Sequence, residues 1–269
     1  MNIKKYSKKE GIIEYVDTET PGDVILFLHG AGVNLRQFEY QISKLSDTFR
    51  IVAFSLRGHG NSKLYKEQTS EDMTFPKMRE DLIHLMDYLE IDVFNIVGNS
   101  AGGVLGLEVL KSCPERLKSL IIYGTAPEIQ FSYFVRDMIV NIDKFMLKAG
   151  NNVYKNLMVN YSSKYKNTQT LFKSLIEDTN DDTIWQFRKI LARYTYVEEI
   201  IDTKIPILII KSKYDKDINK SLNRYEKEFL KNPNVKMIKL EDAGHIANLD
   251  NPEEFNKIIR KFIENENKN

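Results

Sequence analysis

Residues 98–102 read Gly98-Asn99-Ser100-Ala101-Gly102, a G-x-S-x-G pattern with Gly103 following it. An apolar run at 93–97 precedes it and a helical pattern follows. A serine between a strand and a helix sits on a sharp turn that lifts its hydroxyl above the sheet, as in a nucleophile elbow. Side chains two residues either side of that serine would strike the neighbouring strand or helix, so Gly98 and Gly102 fit the turn. Serine is a weak nucleophile at neutral pH and needs a general base. Partners of such an elbow follow in the order serine, acid, histidine. Of His29, His59, His84 and His245, only His245 comes after Ser100. An acid must hold the base in the right tautomer. It is expected beyond the apolar run 207–210, where Asp215 and Asp217 both lie. Asp215 has the better reach. Asp217 is the alternative, and otherwise a helix N-cap.

An attacked carbonyl develops negative charge that needs preorganised donors. One expected donor is the backbone N–H of Ala101, at a helix start whose dipole also favours an anion. The second is assigned to Ala31 N–H in His29-Gly30-Ala31-Gly32, after the first apolar run. That glycine loop lacks G-x-G-x-x-G and a P-loop lysine, so a nucleotide site is not expected. No H-x-x-x-H pair occurs, so no metal is expected either, and no cofactor. His29 and His59 are expected to bond loop backbone, and His84 to face solvent.

These groups need a scaffold. Runs at 24–28, 50–55, 93–97, 120–123, 207–210 and 235–240 are continuously apolar or nearly so, as strands covered on both faces are. A further strand is expected at 12–16. Helical spacing marks 75–89, 103–112, 222–230 and 252–263, and Pro114 stops the second of these. Strands alternating with helices predict an α/β fold, a mostly parallel twisted sheet with helices on both faces. The alternation breaks between 127 and 201, where helical patterns carry twelve aromatic residues. The expected organisation is a core of 1–126 and 202–269 with a helical cap insertion at 127–201. The cap aromatics either line an apolar acyl or aryl site, with Trp185 and Phe134 as candidate substrate contacts, or form the core of the cap.

Composition narrows the function classes. The chain has 269 residues, with 39 Lys+Arg against 38 Asp+Glu, a net charge of +1. That balance gives no global basic footprint for nucleic acid or an anionic membrane. One cysteine, Cys113, cannot form an internal disulfide, and it is expected to be buried. No run of 18 apolar residues occurs and the charged N-terminus lacks an apolar h-region. A cytoplasmic monomer or homodimer with a small-molecule ester substrate is the resulting expectation. Glycine is concentrated in the loops above: Gly30, Gly32, Gly58, Gly60, Gly98, Gly102, Gly103 and Gly244 are eight of the 13.

In these motifs the chain resembles the α/β-hydrolase fold superfamily over nearly its whole length. The carriers are His29-Gly30-Ala31-Gly32, Arg57-Gly58-His59-Gly60-Asn61-Ser62, Gly98-Asn99-Ser100-Ala101-Gly102-Gly103, Tyr214-Asp215 and Ala243-Gly244-His245 with Asn251-Pro252-Glu253-Glu254-Phe255. The resemblance implies Ser100 as nucleophile, His245 as base, Asp215 as acid, Ala31 and Ala101 as oxyanion donors, and a cap over the site. Two positions depart from the family's habit. Ser55 stands where an aspartate is frequent, and Ser212 where a glycine is frequent. Both touch loop geometry.

The expected reaction is hydrolysis of a small carboxylic ester through an acyl-enzyme on Ser100. One alternative is carbon–carbon bond hydrolysis of ring-fission products, whose elbow is similar. Against it, Ile246 stands where those enzymes carry an aromatic residue, and their Gly-Pro-Gly-like loop is absent. A second alternative is a non-catalytic ligand-binding protein on the same scaffold. Cofactor-free perhydrolase or haloperoxidase chemistry would use the same three residues.

Overall fold

The computed structural model describes residues 1–149 and 152–266. Its strands are β1 (Lys4–Lys8), β2 (Gly11–Asp17), β3 (Val24–Leu28), β4 (Arg50–Phe54), β5 (Lys63–Leu64), β6 (Phe94–Asn99), β7 (Leu117–Tyr123), β8 (Glu128–Gln130), β9 (Arg193–Thr195), β10 (Ile207–Ser212) and β11 (Val235–Leu240). Its helices are α1 (Glu39–Leu45), α2 (Phe75–Tyr88), α3 (Ala101–Ser112), α4 (Tyr133–Lys148), α5 (Val153–Ser162), α6 (Lys166–Glu177), α7 (Asp181–Leu191), α8 (Val197–Ile201), α9 (Lys216–Phe229), α10 (Ala247–Asp250) and α11 (Pro252–Glu266).

The main sheet runs β1-β2-β4-β3-β6-β7-β10-β11, with β5 paired to β2. The six strands from β4 to β11 along this order are parallel, and β1, β2 and β5 join antiparallel. Alternate residues of each parallel strand enter opposite cores. Leu26, Ile96, Leu120 and Ile209 pack with α2 and α3 on one face. Ile25, Val97, Ile121 and Ile210 pack with Phe38, Phe255 and Ile259 on the other. Burial on both faces is why these strands read as apolar runs rather than as an alternation.

Local signals set the helix ends. Thr74 caps α2, its side chain accepting from Lys77 N–H, with proline in the first turn. α3 ends before Cys113-Pro114. Cys113 is free and half-buried rather than fully buried, because it sits where the helix leaves the core.

After β7 the chain passes through β8, four helices and β9, then returns through α8 to β10. β8 and β9 form a separate antiparallel pair that closes the base of this helical excursion. The sequence pattern does not reveal that pair, since three-residue strands carry no periodicity. A third apolar cluster joins the excursion to loops of the sheet: Val159, Phe172, Ile176 and Ile184 pack with Val33 and Ile246.

Candidate active site

The turn after β6 is strained. Ser100 has φ +51° and ψ −115°, in the left-handed half of backbone space that a side chain disfavours. Crowding around it requires glycine. A Cβ at Gly98 would lie 2.6 Å from Gly102 O, and one at Gly102 would lie 2.1 Å from Leu28 O. At Gly103 it would meet Thr125 Oγ1 at 2.1 Å. Strand and helix therefore touch through backbone at this point. Ser100 N–H donates to Tyr123 O at 3.0 Å, which pins the turn to β7. Ala101 opens α3, so its N–H belongs to the unpaired first turn of the helix.

The loop after β3 lies against this turn. A Cβ on Gly30 would be 3.5 Å from Ser100 Cβ. Gly30 N–H donates to Gln37 Oε1 at 3.3 Å and Gly32 N–H to His59 Nε2 at 3.0 Å. Among the described residues Ala31 N–H, between them, donates to no protein group. His29 and His59 are both buried and both act on backbone. His29 Nε2 accepts from Leu56 N–H at 2.8 Å, and its Nδ1 lies 2.7 Å from Gly30 O. His59 Nδ1 lies 3.1 Å from Arg57 O. Each ring thus carries its proton on Nδ1 and accepts at Nε2. Burial pushes the His29 imidazole down to about 4. It also drives His59 well below its usual range, with His29 adding to the effect. Arg57 fixes the second loop by a two-pronged bond to Asp81, both contacts at 2.8 Å.

Ser55, at one of the two departures, donates to the buried carboxylate of Glu14 at 2.7 Å. Glu14 also takes a bond from Asn61. A carboxylate thus occupies the neighbourhood of that position, but it comes from β2. At the other departure the Ser212 hydroxyl is buried without a partner, while Ser212 O accepts from Asp215 N–H at 3.1 Å.

His245 and Asp215 are in contact, with Nδ1 and Oδ2 2.8 Å apart. Asp215 is buried, and the His245 side chain is 15% exposed. Asp215 stands at the N-cap position of α9, and Asp217 lies in the first helical turn, not at the cap. The helix starts six residues before the predicted 222 because its first turns are polar and solvent-facing. Asp217 faces outward, accepting from Tyr161 O–H at 3.3 Å.

Two further contacts reach the histidine, and its neighbours are fixed as well. Asn99 Nδ2 donates to His245 O at 3.1 Å and to Tyr123 O at 3.3 Å. Gly244 N–H donates to Asp250 Oδ2 at 2.7 Å. The Tyr161 ring lies 5.7 Å from the imidazole. Gly124, at φ +59°, leaves room for the ring, since a Cβ there would be 3.2 Å from His245 Cε1. Ser100 and His245 are tied to the same strand end, Ser100 through its N–H on Tyr123 O and His245 through Asn99, the residue before Ser100. Among the described residues its hydroxyl is not hydrogen-bonded to the imidazole.

Sequence reasoning passed over Asn99, Gln37, Tyr161 and Asp250. Asn99 and Gln37 carry a signal, a polar side chain beside an apolar run, which must find partners if buried. They find each other: Gln37 Nε2 donates to Asn99 Oδ1 at 3.0 Å. Asp250 is half-buried, and the lost solvation raises its carboxyl above the usual range despite bonds from Ser163 and Gly244.

Trp185 packs against the apolar cluster that contains Val33 and Ile246, whereas Phe134 does not. Trp185 donates to Asp182 Oδ1 at 2.8 Å and lies under Lys144 on the flank of the excursion. Phe134 is 79% exposed on α4. Among the described residues no ring contact or hydrogen bond joins either to Ser100 or His245. Among the described residues no three His, Cys, Asp or Glu side chains converge as a metal site, and no helix is long and apolar enough to cross a membrane.

A strained serine and a carboxylate-held histidine tied to one strand end are the residue types that acyl transfer needs. The family model that matches, at residues 23–252, describes the alpha/beta hydrolase fold. The chain is 24% identical to 3-oxoadipate enol-lactonase 1 of Acinetobacter baylyi, covering 89% of this chain and 88% of that one. It is 28% identical to the pimeloyl-(acyl-carrier protein) methyl ester esterase of Wigglesworthia glossinidia brevipalpis, over 89% and 93%. A thermophilic esterase from Thermogutta terrifontis superposes with a TM-score of 0.85 at 19% identity, covering 99% of both chains.

Proposed function

Since the chain belongs to the alpha/beta hydrolase fold family, we propose that it hydrolyses a small carboxylic ester through an acyl-enzyme on Ser100. The observation that carries this reading is the 2.8 Å contact between His245 Nδ1 and Asp215 Oδ2, tied through Asn99 to the strand end that holds the strained serine. Asp215 keeps the Nδ1 proton in place, so Nε2 is free to accept the proton of Ser100. Ser100 Oγ attacks the ester carbonyl, and the carbonyl oxygen becomes an oxyanion. Ala31 and Ala101 N–H groups stabilise that charge. The imidazolium then gives its proton to the departing alkoxide, and an alcohol leaves. Water enters, His245 takes one of its protons, and the hydroxide equivalent cleaves the acyl-enzyme to the acid. Ser100 recovers its proton from His245.

The helical excursion acts as a cap over this site, with α7 and α5 reaching the catalytic loops. The ester reading agrees with the names of the two curated relatives, a lactonase and a methyl ester esterase. Ile246 also favours it over carbon–carbon cleavage. That side chain is fully buried against Val33 and Ile184 and presents no aromatic face to a substrate.

A fluorophosphonate probe tests the nucleophile. It should label the folded chain at Ser100 and leave Ser100→Ala unlabelled. p-Nitrophenyl acetate turnover should vanish in the same variant with the melting curve unchanged. Folded protein that neither labels nor turns over the ester would favour the ligand-binding alternative. Turnover confined to a ring-fission dienoate would favour carbon–carbon hydrolysis.

A further inference from the structure

One side of the helical excursion is apolar and faces water. On α4, Phe134, Met138, Ile142 and Phe145 follow one another along a single face, 79%, 47%, 50% and 74% exposed. The same helix turns Val140, Asp143 and Leu147 inward. On α5, Leu157 and Tyr161 are exposed as well, 53% and 56%, and the Tyr161 ring lies 5.7 Å from that of His245. Single exposed apolar residues are ordinary, whereas a contiguous row marks a docking face.

The charge around the row says what docks. Residues 131–166 hold six cations and two carboxylates, although the whole chain balances at +1. Both carboxylates are engaged, Asp137 with Arg136 and Asp143 with Arg188. Lys155 is buried against Asp181. Lys144, Lys148, Lys164 and Lys166 remain, and among the described residues none of them pairs with a carboxylate; Lys144 lies over Trp185, Lys164 over Tyr214, and Lys166 donates to Gln169, so their charges stay uncancelled. Large apolar side chains on one face, with lysines that no carboxylate neutralises, are what a helix presents when it lies in a lipid interface.

We infer that the α4–α5 face docks on a lipid surface carrying anionic headgroups, its apolar row entering the interfacial layer and its lysines meeting the headgroup charge. The docking does not depend on the hydrolase reading, because it is measured without turnover.

Flotation with phosphatidylcholine vesicles, with and without phosphatidylserine, tests it on the full chain. Binding should require phosphatidylserine and weaken roughly tenfold on raising salt, since headgroup attraction is screened. Met138→Asp with Phe145→Asp should weaken binding about tenfold or more while leaving the melting curve and p-nitrophenyl acetate turnover unchanged. Lys148→Glu should weaken it less. Ser100→Ala should float like the parent, so a failure of the hydrolase reading leaves this result standing. No binding to either vesicle, or full binding by the double variant, overturns the inference. So does a dimer that Phe145→Asp dissolves, which would assign the face to a second copy of the chain.

Discussion

Two regions of the molecule hold histidines against the sheet's loops, and they treat the ring in opposite ways. His245 lies partly open to solvent with a carboxylate on Nδ1. His29 and His59 are fully enclosed, with backbone carbonyls at Nδ1 and backbone N–H groups at Nε2. The carboxylate at Nδ1 fixes the orientation of the His245 ring. A closed shell of neutral dipoles disfavours an imidazolium, so His29 and His59 stay neutral and serve as struts between loops. The surroundings divide proton transfer from positioning, not the residue type.

The largest expected effect breaks the first region alone. His245→Ala should lower kcat on p-nitrophenyl acetate by roughly ten-thousandfold or more, because nothing else is placed to take the serine proton. Asp215→Asn should cost nearly as much, by reversing the tautomer. Asp217→Asn should cost little, since Asp217 meets Tyr161 at the rim rather than His245. Steady-state kinetics with melting curves separates the outcomes. Equal losses in both aspartate variants would mean that the acid has been misassigned.

Much of this division was legible in the sequence. The elbow, the lone late histidine and the apolar runs each obey a local rule, so positions 98–102, 245 and the parallel strands could be read directly. His29 and His59 were legible only as loop residues. Their mutual contact, ring centroids 5.0 Å apart, joins positions 30 residues apart that no local pattern links. The same holds for Glu14 under Ser55, for Asn99 under His245 and for the α4 row, whose exposure depends on which face of the helix meets its neighbours. β8, β9 and the polar first turns of α9 were invisible for another reason: they are too short or too polar to show a period. Aromatic content alone did not separate Phe187, buried in the core, from Phe134, exposed on α4.

A smaller effect sharpens the second region. In the folded chain His29 stays neutral until about pH 4, whereas the unfolded chain protonates it near 6.5. Between those values the unfolded state binds more protons, so acid favours unfolding. The contribution is complete above about pH 6.5 and is lost as the pH falls toward 4. For His29 alone it amounts to roughly 3 kcal/mol. His59 acts with the same sign. Urea denaturation from pH 7.5 to 4.5 should show this decline, and His59→Gln should flatten it by about one proton because the amide does not titrate. A slope unchanged by His59→Gln would mean that His59 is already protonated in the fold.

The smallest effect tests whether the two regions are independent. Phe187 on α7 meets His59 edge to face, centroids 4.6 Å apart at 87°. His59 in turn accepts from Gly32 N–H, next to the proposed donor at Ala31. Phe187→Leu should remove about 1 kcal/mol of ring contact. If all of it reached the oxyanion donors, kcat would fall about fivefold. Asp215→Asn, which breaks the His245–Asp215 pair directly, should lower kcat far more. A loss in Phe187→Leu as large as that of Asp215→Asn would show that the buried struts act on the base itself. The separation between positioning histidines and the proton-transfer histidine would then fail at the helix that joins them.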